Sequence, residues 1–178
     1  TLVFSFFGFA MLSNTKSTIE KGDIANAQKS ASAAKIFFSL AKKSSILLLA
    51  EGKLIGQEKN VNRVTRNSSL GSDLSQMAIY ITDGLDTLSE VFAGRSINPK
   101  NDFTKGAKDL KSAITILREI EAEGELPSDV RVKIKSVDSV IKIAENTTGY
   151  MPSLFGFNGK RVYLVLFQNN MELRPGGG

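Results

Sequence analysis

The sequence predicts an all-α fold: an antiparallel bundle of four or five helices, followed by the first strand of a truncated α/β domain. Three observations predict it. Between residues 23 and 147 apolar side chains recur at alternating three- and four-residue steps, the mark of amphipathic helices. Gly, Pro and capping residues interrupt that pattern at helix-length intervals. One run near the end, Val162-Tyr163-Leu164-Val165-Leu166-Phe167, is instead apolar on both alternating faces, as in a strand covered on both sides of a sheet.

Residues 1–21 form an apolar N-terminal helix. Leu2 to Leu12 is apolar nearly all round, yet shorter than the roughly twenty residues a bilayer span requires. It begins without Met and without a basic n-region. Two readings stay open for it: the tail of a membrane anchor, or a core helix packed on all sides. Gly22-Asp23 is a stop-and-start signal, in which Gly ends one helix and Asp caps the next.

The bundle proper occupies residues 22–150. Ala27, Ala31, Ala34, Phe38 and Ala41 fall on one stripe, and their small size lets a neighbour approach closely. Lys29, Lys35, Lys42 and Lys43 fall largely away from it. Residues 52–69 are polar and rich in breakers, which predicts a loop or frayed helix end. A third stripe is Leu70, Leu74, Met77, Ile81, Leu85, Leu88 and Phe92, with Gly94 placed as a C-cap and Asn98-Pro99 closing the turn. A fourth runs from Phe103 through Ala107, Leu110, Ile114 and Leu117 to Ile120. Ser128 opens a fifth with Val130, Ile134, Val137, Ile141 and Ala144. The predicted helices are therefore 23–50, 70–93, 102–121 and 128–147. A solenoid of helix pairs ranks second, because no repeat of fixed length is visible. Residues 151–160 form a connector whose Leu154, Phe155 and Phe157 tuck against the bundle. Residues 161–178 hold the strand and a Gly-rich loop, and the strand's hydrogen-bonding partners are expected beyond Gly178.

Composition narrows the chemistry. The 178 residues contain no Cys and no His, which removes thiolate nucleophiles, imidazole bases, Cys/His zinc sites and disulfides. No catalytic residue, metal site or cofactor is expected. The net charge of +5 is spread over solvated helix faces without a run of five like charges, so nucleic acid is not an expected partner. Glu119, Glu121, Glu123 and Glu125 lack metal-loop spacing. Asn67-Ser68-Ser69 and Asn146-Thr147-Thr148 match the short N-glycosylation acceptor, although the first serves equally as loop and cap.

The tail carries the one candidate site. After Phe167 come Gln168, Asn169, Asn170, Met171, Glu172, Leu173, Arg174, Pro175 and three glycines. Open α/β sheets place ligands at such strand ends. Arg174 can fork onto a phosphate, the amides of Gly176 and Gly177 can face an anion, and Asn169 or Glu172 can orient the site. The competing reading is turn chemistry with a structural Glu172–Arg174 pair.

The stretch from Arg161 to Pro175, with the glycines after it, resembles the signature of the bacterial envelope family defined by domain of unknown function 4012. There the pattern is roughly R-Y-L-x-L-x-Q-N-x-x-E-L-R-x-T-G-G-F. Gln168, Asn169, Glu172, Arg174, Gly176 and Gly177 occupy matching positions, with Gly176 where the family more usually has Thr. Gly22-Asp23 with its alanine stripe, and Leu154-Phe155-Gly156, resemble the family's helical region. The resemblance implies a membrane anchor at the N-terminus, a helical region on the extracytoplasmic side of the bacterial cell membrane, then an α/β domain. Two functional expectations follow. The chain is a non-enzymatic stalk or scaffold, or it belongs to an envelope enzyme acting on a phosphate-bearing lipid or glycan carrier held by Arg174 and the Gly-rich loop.

Overall fold

A computed structural model of the chain describes residues 1–48, 56–122, 124 and 149–164. Within them lie four long helices: α1 (Leu2–Glu20), α2 (Ile24–Leu47), α3 (Glu58–Phe92) and α4 (Pro99–Ala122). A shorter helical stretch covers 149–154. No strand occurs among the described residues; 161–164 carry no ladder, and the rest of the expected strand lies outside them. The expected helix 128–147 also lies outside them.

The α1–α2 turn forms as its residues dictate. Gly22 adopts φ +76°, a conformation that would strain any side chain. The Gly22 amide bonds back to Ile19 O (2.9 Å) and the Asp23 amide to Thr18 O (2.9 Å), which satisfies the carbonyls that end α1. Asp23 then caps α2 through the Asn26 amide (3.2 Å). Gly94 (φ +70°) repeats this closure after α3. Arg95 grips Glu90 over that turn with two hydrogen bonds, 2.8 and 3.0 Å. Pro99 opens α4, three residues before the expected start, because a proline loses nothing where no intrahelical N–H bond is made.

The helices pack as an antiparallel bundle in chain order. α2 lies between α1 and α3, and α3 between α2 and α4. Neither α1 nor α2 comes into close backbone contact with α4. The α2–α3 seam is set by small residues. Ala27, Ala31, Ala34, Phe38 and Ala41 are all fully buried, as their spacing predicts. Along its edge Gln28 bonds Asp83, Lys35 bonds Gln76 and Lys42 bonds Ser69, stepping seven residues up one helix and seven down the other. That two-turn repeat is the register of an antiparallel coiled coil.

α3 departs from its expected reading in two ways. It starts at Glu58, so most of the expected 52–69 loop is helix. Asn67-Ser68-Ser69 thus sits inside a helix with Ser68 buried, where it is neither loop nor cap. And its buried line is Ser68, Gly71, Ser75, Ala78, Thr82, Gly84 and Leu88. Of the expected stripe, only Leu88 is in that line; Leu70, Leu74, Met77 and Ile81 are half-buried, and Leu85 and Phe92 are exposed. The cause is steric. Close helix approach selects small side chains, and the hydroxyls of Ser75 and Thr82 remain satisfied by Gly71 O (2.7 Å) and Ala78 O (3.1 Å) one turn back. In α4, Phe103 and Ile120 are buried as expected, together with Gly106 and Ala113.

α1 is not packed on all sides. Only Gly8 and Thr15 are buried along it. Ser5 Oγ lies 3.3 Å from Ser68 Oγ, tying the start of α1 to α3. Phe155 and Phe157 make the expected ring contacts: Phe155 meets Phe92 and Phe103, and Phe157 meets Phe103, at centroid separations of 5.6 to 6.2 Å, although Phe155, like Leu154, stays exposed.

Candidate functional site

Asn169, Glu172, Arg174, Gly176 and Gly177 all lie outside the described residues, as does Gln168. Among the described residues no cluster of His, Cys, Asp or Glu is arranged to hold a metal ion. Glu119 and Glu121 stand on the last turns of α4, while Glu123 and Glu125 fall outside the described residues. Charged groups in the described bundle sit at its surface. Hydrogen bonds from the Asn26 side-chain amide and then its backbone N–H hold the Asp23 carboxyl below its ordinary range. The Arg95 guanidinium does the same for Glu90. Both are ordinary surface devices of helix ends, not acid–base machinery.

Three surfaces remain as candidates. The first is a groove of about 460 Å³ between α1 and α3. Among the described residues, the side-chain hydrogen bond between these two helices joins Ser5 Oγ to Ser68 Oγ, outside the groove. Its walls are mainly apolar and include Phe9, Leu12, Leu74, Met77 and Ile81, with Lys16 and Glu20 at the rim. Much of the expected core stripe of α3 therefore lines an open groove. The second is a polar hollow between α2 and α3, bounded by Lys42, Asn62, Thr65, Arg66 and Asp73, with Ile120 of α4 at its floor.

The third is the face shared by the first half of α1 and the second half of α2. Leu2, Val3 and Phe6 project from α1 at 73, 64 and 70% exposure. Phe7 stacks on Phe37 of α2 at 5.5 Å, which joins the two helices into one surface. From α2 come Ile36, Leu40, Lys43 and Leu47, spaced four, three and four residues apart on one outward stripe. Below this region the exposed residues turn polar on both helices: Ser13, Asn14 and Lys16 on α1, Asn26, Gln28 and Lys29 on α2. Since the helices are antiparallel, the changeover falls at one height. Sequence reasoning missed the α2 stripe because attention to Ala27–Ala41 assigns one face to packing. The signal was present in the helical spacing of Ile36, Leu40 and Leu47 on the opposite face.

No helix among the described residues is long and apolar enough to cross a membrane. Comparison with family models, with curated proteins and with solved structures found no match.

Proposed function

We propose that this chain is a non-enzymatic helical scaffold of a membrane-anchored bacterial envelope protein, with the end that holds the start of α1 turned toward the lipid. The observation that carries this reading is the common changeover on α1 and α2 from exposed apolar to exposed polar residues. A monomer in water rarely leaves so many large apolar side chains contiguous and uncovered. The resemblance of the tail to the domain of unknown function 4012 family supports the same orientation, with Leu2–Leu12 as the membrane-proximal element. In this reading the strand at Val162–Phe167 opens an α/β domain that the bundle holds away from the lipid, and any anion contact by Arg174 belongs to that domain.

The test uses the absence of native Cys. Single cysteines replacing Val3, Leu47, Lys29 and Asn101 are labelled with an environment-sensitive fluorophore and mixed with vesicles containing a quencher lipid. Quenching at Val3 and Leu47 but not at Lys29 and Asn101 is the expected result. Equal or absent quenching at all four positions, in a chain that remains helical, rejects the orientation.

A further inference from the structure

We propose that the α1–α2 face binds anionic phospholipid, with Lys42 and Lys43 as the headgroup contacts. The proposal rests on the membrane reading above and names the lipid it selects. Charge carries it. Residues 1–48 include six lysines, and their acids are Glu20 and Asp23 alone. Both acids flank the α1–α2 turn, at the far end from the apolar face. From Ile24 to Leu47, α2 contains no acid at all.

The two lysines stand where an interface would use them. Lys43 lies within the exposed stripe between Leu40 and Leu47, so its methylene stem can run along apolar surface while the ammonium reaches outward. Lys42 stands on the α3-facing flank of α2, beside this face and at the hollow that also holds Arg66 and Asp73; its ammonium is 3.0 Å from Ser69 Oγ and keeps two further N–H donors for a phosphate. Apolar side chains beside cations suit the boundary between acyl chains and anionic headgroups, where each lysine adds to the attraction. A second copy of the chain suits the face poorly. Pairing two such faces would bring the lysines of both copies into an interface to which neither α1 nor α2 brings an acid at that end, and a desolvated unpaired cation is costly.

The experiment is sedimentation of the full 178-residue chain with vesicles of phosphatidylcholine alone, or with phosphatidylglycerol added, at low and high salt. Tighter binding to the anionic vesicles, weakened by salt, is expected. Lys42→Gln with Lys43→Gln is expected to lower the partition coefficient about fivefold per lysine, roughly 25-fold together. Lys42→Arg with Lys43→Arg retains binding. Lys105→Gln with Lys108→Gln on α4 makes the same charge change elsewhere and leaves binding unaltered. Circular dichroism confirms that each variant is folded. Equal binding to neutral and anionic vesicles overturns the lipid selectivity and leaves the membrane reading standing. No binding of the folded chain to either vesicle overturns both. A lipid-free dimer abolished by Leu40→Asn assigns the face to a second copy and overturns the proposal as well.

Discussion

Phe38 is the side chain on which three helices meet. Its ring occupies the space left by two glycines: a Cβ on Gly8 of α1 would stand 2.9 Å from Phe38 Cζ, and one on Gly71 of α3 would stand 2.6 Å from the same atom. Both distances are well inside contact. Gly71→Ala is therefore expected to destabilise the chain by about 1–3 kcal/mol through overpacking, despite the roughly 1 kcal/mol that alanine adds to a helix interior. Urea unfolding measures it. Adding Phe38→Leu to Gly71→Ala is expected to recover part of the loss, whereas Phe38→Ala alone is expected to cost about 3–5 kcal/mol. The burial of Phe38 was legible in the sequence from its place among four alanines. Its partners were not. A helical glycine signals only a weak spot in a sequence, and nothing local says that a ring from another helix fills it.

At the scale of elements, the helix ends were the most legible part of the chain. Gly22, Asp23 and Gly94 do the work their residue types imply, because capping is settled within a few residues. Asp23 also gives a pH signature. Its folded-state titration lies below the ordinary carboxylate range, so its contribution is present above that range and is lost as the pH falls through the lower folded value. Asp23→Ala is expected to lower the thermal midpoint at neutral pH and to shrink its fall in acid. Asp23→Asn, which keeps an acceptor for the Asn26 amide, should retain more stability with the same loss of pH response. α3 was the least legible element. The Leu70–Phe92 pattern marks a helix correctly, but which of its faces touches a neighbour depends on the partner's shape. The flat alanine surface of α2 selects Ser75, Ala78 and Thr82 over the bulkier Leu74 and Met77. At the other end of the bundle, Phe103 is 2% exposed beneath the rings of Phe92, Phe155 and Phe157. Phe103→Ala should cost about 3 kcal/mol or more and should loosen the 149–158 segment, visible as faster amide exchange there.

At the scale of the molecule, the four helices share no single centre among the described residues. Ile81 shows the consequence. By pattern it belongs to a core, but it stands on the wall of the α1–α3 groove, so Ile81→Asp is expected to keep the helical fold and lower the denaturation midpoint less than Phe38→Ala. The candidate anion residues were legible only as a motif. The exposed apolar face of α1 and α2 was half legible: the apolar start of α1 is plain in the sequence, but its continuation onto α2 appears only when Phe7 is seen against Phe37. The order of packing also governs how the molecule bears load. α4 adheres to α3 along one side, whereas α1, α2 and α3 brace one another around Phe38. Among the described residues, load on α4 is resisted by its seam with α3 and by the docked Phe155 and Phe157, whereas load on α2 is shared by the contacts that Gly8 of α1 and Gly71 of α3 make with Phe38.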